Sequence, residues 1–291
     1  MSEHSIILVG GPDSGKTNFL APFWESIRSK KGDLIAKESP KNIKYIEEAL
    51  AHLLKGEFAP RSEMDLEETN LSFCIPVTSK SRPSESTHLV VPDIRGEVWK
   101  EAVETCEIPE QWMTNLRNAS GALLFIRIGS QQNEASLDWV TAAGLLRMPL
   151  IGDSVGHLKI PAQVATCELI RFLEHSLAAD LDGVKPTVAI LITAWDLLDE
   201  EASALGPLEY LKKEYPMVAG RIDDIESLNI GVFGVSSVGG DFVDDDFKQR
   251  YLEDDCESFG YVIHDVDGKV ERIKDITLPI GWMVNQLKRV V

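Results

Sequence analysis

Short apolar runs alternate with amphipathic stretches along most of the chain. Residues 5–9 (SIILV) form an apolar run that ends in a glycine-rich turn at 10–15. From Lys16 to about residue 30, Phe19, Leu20, Phe23 and Ile27 recur at helical spacing, which predicts an amphipathic helix that Pro22 should kink or end. A second helix is predicted over 40–55, with Pro40 near its start, followed by a polar loop at 56–70. Residues 71–77 (LSFCIPV) read as a strand, with Pro76 placing it at a sheet edge or ending it there. A Ser/Pro/Arg turn leads to another strand at 88–91, so the two form a hairpin. Helical residues cover about 97–118, a strand 122–128, a helix 135–147 and an amphipathic helix 161–179. The most apolar strand is 187–193; a helix at 206–214, a strand at 230–235 and a closing helix at 278–291 complete the pattern. This alternation predicts a three-layer α/β fold whose sheet is mostly parallel with one antiparallel hairpin. A single domain over 1–291 is expected, with helical insertions at about 32–60 and 129–182 and an acidic segment at about 241–291.

Composition narrows the function. The 291 residues are 44% hydrophobic, ample for a large core. Lys+Arg number 29 against 47 Asp+Glu, a formal net charge of −18, which argues against a general nucleic-acid or anionic-membrane binder. One bound phosphate ligand needs only a local positive site and is compatible with that charge. The apolar runs at 121–126 and 187–195 fall short of the ~20 residues of a membrane-spanning helix. The start, MSEHSIILVGG, lacks the basic region of a signal peptide, so a cytoplasmic protein is expected. Cys74, Cys106, Cys167 and Cys256 show no metal-ligand spacing and read as reduced thiols. The acidic run at 241–257 lacks the pattern of a calcium loop and reads as a solvated loop.

Candidate chemistry lies where strands end. Gly10, Gly11, Pro12, Asp13, Ser14, Gly15, Lys16 and Thr17 match GxxxxGK[ST] between a predicted strand and a predicted helix, the context this motif requires. Its glycines let backbone N–H groups curl around phosphate oxygens, and the helix start adds partial positive charge. Lys16 is expected to stand exposed until it meets the β- and γ-phosphates, and the Thr17 hydroxyl to ligate Mg²⁺. Asn18 follows in the same phosphate-facing turn. Asp93, at the end of the 88–91 strand, suits water-mediated support of Mg²⁺; Gly96 can offer its N–H to the γ-phosphate, and Glu97 can reach the attacking water. Thr193, Trp195 and Asp196 close the most apolar strand. A carboxylate there can accept from guanine N1–H and its 2-amino group, a donor pair adenine lacks. Ser236, Ser237 and Val238 follow the next strand, where their backbone can meet the base carbonyl.

The ordered set GxxxxGKT, Asp93-x-x-Gly96-Glu97, Thr193-Ala-Trp195-Asp196 and the serine-rich loop resembles the translation-factor-related (TRAFAC) P-loop GTPases. More narrowly it is similar to the bacterial double-GTPase proteins of conflict and signalling operons, whose second motif reads like D-x-x-G-E and whose base motif reads like T-K-W-D. The helix at 161–173 also looks like that family's insertion before the base motif. The resemblance implies a P-loop fold, GTP/GDP and Mg²⁺ as ligands, a switch acting through a protein partner or effector, and a switch I hydroxyl that closes over the metal. Ser62 is the first choice for that hydroxyl and Thr69 the second. Arg61 and Arg95 are the arginines available to act in cis. Two positions depart from the pattern. Ala194 stands where a lysine usually packs over the base, which leaves a P-loop ATPase as an alternative. Glu97 stands where a glutamine orients water in many GTPases, which points to slow hydrolysis or to a nucleotide-dependent, non-hydrolysing scaffold.

Overall fold

The computed structural model describes residues 2–38, 40, 43–59, 72–80, 82–92, 96–130, 160–177, 183–253, 260–266 and 268–287. Among them nine strands form one sheet: β1 (Ser2–Val9), β2 (Leu34–Ala36), β3 (Ser72–Ser79), β4 (Arg82–Pro92), β5 (Gly121–Arg127), β6 (Thr187–Thr193), β7 (Asn229–Ser236), β8 (Tyr261–Val266) and β9 (Lys269–Ile273). Their order is β2-β3-β4-β1-β5-β6-β7-β8-β9. The run β4-β1-β5-β6-β7 is parallel. β3 joins it as the expected antiparallel hairpin with β4. Beyond these six strands the sheet is larger than the sequence pattern suggests. β2 adds an antiparallel edge on one side, and β8 and β9 add two antiparallel strands on the other.

Alternation along the strands sorts the core into two layers. Ile6 and Leu8 of β1, Leu123 and Phe125 of β5, and Ala189 and Leu191 of β6 face one layer. Ile7 and Val9, Leu124 and Ile126, and Val188, Ile190 and Ile192 face the other. Every residue of β6 is buried, as suits a strand covered by helices on both faces. The first layer holds α1 (Lys16–Arg28), α2 (Lys44–Leu53), α9 (Asp245–Glu253) and α10 (Leu278–Leu287). The second holds α3 (Gly96–Thr105), α4 (Glu110–Arg117), α5 (Ala162–Ser176), α7 (Pro207–Glu214) and α8 (Pro216–Asp223); the short α6 (Glu200–Ala204) buries no residue.

Several expectations are revised. Pro22 does not end α1, which runs through to Arg28. A helix-interior proline costs about 3 kcal/mol. Five large side chains of α1, Phe19, Leu20, Phe23, Trp24 and Ile27, are buried, each contributing about 1.5–3 kcal/mol, so packing outweighs the proline. The single helix expected over 97–118 is two: Cys106 takes a left-handed backbone (φ 57°) and Pro109 precedes α4. Pro76 lies inside β3 and one strand in from the edge. Its carbonyl accepts from Lys37 N–H, just past the end of β2, so the donor it lacks falls where ladder pairing has already stopped. Residues 32–60, expected as a helical insertion, also supply β2. The acidic run is not simply a solvated loop. An Asp244 carboxylate oxygen accepts from the N–H groups of Asp246 and Phe247 at the start of α9, while Phe242, Phe247 and Tyr251 are buried beneath. The helix expected at 135–147 lies outside the described residues.

Candidate functional site

Because the five central strands are parallel, their C-terminal ends share one edge of the sheet, the usual position for ligands in such folds. β1 ends at Val9 and hands over to the loop 10–15; α1 begins at Lys16 directly after it. Gly15 has φ 91°, and a Cβ there would come 3.0 Å from Thr193 Oγ1, so both conformation and space call for glycine. Lys16 is not exposed as expected. Its ammonium turns back into the loop and donates to the carbonyls of Gly10 (2.7 Å) and Gly11 (3.0 Å) and to Ser14 Oγ (3.2 Å). A charged donor satisfies itself on the ring of peptide oxygens around it. The cation therefore already sits within the cradle that the sequence assigns to phosphates. Asn18, in the first turn of α1, carries a buried Oδ1 with no hydrogen-bond partner.

Thr193 ties this loop to the base motif. Its Oγ1 is buried and donates to the Ser14 carbonyl at 2.9 Å. Ala194 then adopts a left-handed conformation (φ 59°, ψ 40°) and caps a 3-10 turn over Trp195–Leu197. Trp195 is fully buried. Its ring lies where a Cβ on Gly234 would come within 2.5 Å, it meets Tyr210 edge-on at 5.4 Å, and its Nε1 donates to Ser203 Oγ at 2.9 Å. The indole thus offers a ligand position, through its neighbour Asp196, rather than contact. Asp196 is only partly buried, and its Oδ1 accepts a hydrogen bond from Ser236 Oγ. Ser236 Oγ in turn accepts from Gly239 N–H at 2.8 Å. Serine 236 therefore contributes its side chain to this corner. Ser237 is half-buried, and the Val238 side chain belongs to the core, leaving its backbone for any ligand. Behind Ser236 stands Tyr261 of β8. Burial raises its phenol pKa; Arg272 lowers it, and the Asp196 charge adds to the rise. The Arg272 guanidinium lies 3.6 Å from the Tyr261 ring centroid.

The DxxG segment is described from Gly96 onward. Gly96 opens α3 and is pressed against the phosphate loop: a Cβ there would lie 2.4 Å from Pro12 N and 2.6 Å from the Gly11 carbonyl carbon. Only glycine fits. Glu97 is exposed in the first turn of α3, where a carboxylate also gains from the helix dipole. Trp99 anchors the same turn, fully buried, with Nε1 donating to the Leu8 carbonyl of β1 at 3.1 Å. Asp93 and Arg95 lie outside the described residues, as do Arg61, Ser62 and Thr69. Among the described residues no three His, Cys, Asp or Glu side chains cluster to hold a metal ion. Cys106 and Cys167 are free thiols. No helix among the described residues is long and apolar enough to cross a membrane.

Reading the sequence alone missed three contributors: the Ser236 hydroxyl, Tyr261 behind it, and Arg127 at the end of β5, which pairs with Asp13 of the phosphate loop (2.9 Å). For Arg127 a signal existed. It shares strand parity with Leu123 and Phe125, the face that carries α1. The arrangement is that of an α/β P-loop nucleoside-triphosphatase. A protein-family model described as Double-GTPase 1 matches residues 7–283. No curated protein matches the chain.

Proposed function

The chain belongs to the Double-GTPase 1 family, a guanine-nucleotide-binding and GTP-hydrolysing kind of protein, and from that premise we propose that it is a Mg²⁺-dependent switch with slow hydrolysis that a protein partner stimulates. The observation that carries this reading is the linkage of two loops: Thr193 of the base motif holds the Ser14 carbonyl of the phosphate loop, while three residues on Asp196 is aimed by Ser236. A ligand with a guanine at one end and phosphates at the other matches that pair of anchors. In this reading the loop 10–15 and Lys16 bind the phosphates, exchanging the carbonyl partners of Lys16 for phosphate oxygens. Asp196 accepts from the guanine edge. Thr17 and Asp93, both hard oxygen donors, would hold Mg²⁺, which supplies charge neutralisation between the β- and γ-phosphates when bound. Gly96, packed on Gly11 and Pro12, is the hinge through which a γ-phosphate would move α3. A bacterial setting in conflict or signalling systems goes with the resemblance of the D-x-x-G-E and T-x-W-D motifs.

Slow turnover follows from Glu97. Positioning water and neutralising γ-phosphate charge are the protein's main contributions to this reaction, and an arginine supplied by a partner is worth about 10³–10⁵ in rate. A carboxylate does the first poorly beside a triphosphate and the second not at all. The test is single-turnover GTP hydrolysis across protein concentrations, with Glu97→Gln alongside. The expected outcome is slow hydrolysis by the isolated chain that rises with a partner or with self-association, and no loss of rate in Glu97→Gln. Turnover of several per second, independent of concentration, would instead identify a self-sufficient GTPase.

A further inference from the structure

The phosphate loop carries an acid in its middle. Asp13 sits between Gly11 and Gly15 in the loop that the proposed function assigns to a polyanion, and its φ of 65° is a left-handed conformation that Asp and Asn tolerate better than other non-glycine residues. A carboxylate there opposes the attraction of the loop amides and of Lys16. The structure supplies a counterweight from far along the chain. Arg127, the last residue of β5, places Nη1 2.9 Å from Asp13 Oδ1. Arg127 is paired in register with Thr193 of the neighbouring strand β6, the residue that fixes the Ser14 carbonyl, so the guanidinium is set against the loop by the strand end next to the one that shapes it. Both side chains are 36% exposed, so neither is buried out of a ligand's reach.

We propose that Arg127 is a positioning residue of the phosphate site, holding and neutralising Asp13 so that the loop accepts a triphosphate. This rests on the reading that the loop binds guanine nucleotide. An exposed ion pair of this kind adds little to fold stability. Its consequence lies in the field at the loop, where an uncompensated carboxylate faces several phosphate charges. The penalty should grow with ligand charge and shrink with added salt.

The experiment measures binding of a fluorescent GDP and of a non-hydrolysable GTP analogue to wild type, Arg127→Ala, Arg127→Lys, Asp13→Asn, the double variant Asp13→Asn/Arg127→Ala, and Lys16→Ala, with thermal melts to confirm folding. Asp13→Asn keeps the left-handed conformation available and removes the charge. Arg127→Ala should weaken the GTP analogue about tenfold at low salt, GDP less, and both by less at high salt. Arg127→Lys should retain most of the affinity. The double variant should bind within about twofold of Asp13→Asn, because no charge remains to compensate. Arg127→Ala binding as wild type, or a double variant as weak as Arg127→Ala, overturns the proposal, the latter because Arg127 would then act through loop shape or its own ligand contact. Wild type that binds neither nucleotide, or binds no better than Lys16→Ala, overturns the nucleotide reading itself and the inference with it.

Discussion

Ser236 is where a single hydroxyl decides how well a carboxylate is aimed. It is fully buried, donates to Asp196 and is itself held by Gly239 N–H, so one oxygen of Asp196 is already fixed for the base-binding role proposed for it. Replacing Ser236 by Ala should leave the fold intact and remove that orientation. The lost hydrogen bond is worth about 1 kcal/mol, or about fivefold in affinity for GDP. The loss should be specific to guanine, since Ser236 holds the proposed base anchor, Asp196, and not the phosphate loop. Titration of Ser236→Ala with GDP and with inosine diphosphate checks this. The inosine base lacks the 2-amino group, so the fivefold loss should shrink for it; equal affinity of variant and wild type for GDP would mean that Asp196 is aimed by something else.

At the scale of elements, packing decides what local pattern leaves open. The aromatic group Phe58, Phe242, Phe247 and Tyr251 joins the chain after α2 to α9, with the Phe58 and Phe242 rings 4.8 Å apart and Phe242 and Tyr251 4.9 Å apart. Phe242→Ala should cost about 3–5 kcal/mol of stability, read as a lowered denaturation midpoint. A loss below 1 kcal/mol would mean that α9 is not docked by this cluster. The same elements mark the limits of reading sequence. β1, β5, β6 and β7 were legible because each alternates between two buried faces. β9 was not, since four of its five residues are exposed and its pattern resembles a polar loop. β2 is three residues long, and α9 is hidden behind carboxylates that cap it. Within the site, the phosphate loop is contiguous and therefore visible as a motif. The contacts that complete it join residues 179, 114 and 40 apart, Thr193 to Ser14, Arg127 to Asp13 and Ser236 to Asp196, and no local pattern encodes them. Lys16 shows the same limit from another side: its motif names a phosphate ligand, but only the folded loop reveals the carbonyls that hold it meanwhile.

For the whole molecule, a net charge of −18 sets the terms of binding. A protein this acidic repels polyanions at long range, so in the proposed function nucleotide affinity would come from a small constellation at one sheet edge: the loop amides, Lys16, and an Asp13 neutralised by Arg127. That makes the account narrow enough to test in one measurement, isothermal titration of the folded chain with GTP, GDP and ATP in the presence of Mg²⁺, with Lys16→Ala as the control. The account predicts that GTP and GDP bind, that ATP binds at least about tenfold more weakly because adenine offers Asp196 no paired donors, and that Lys16→Ala abolishes binding. ATP binding as tightly as GTP or more so, or Lys16→Ala binding GTP like wild type, would contradict it.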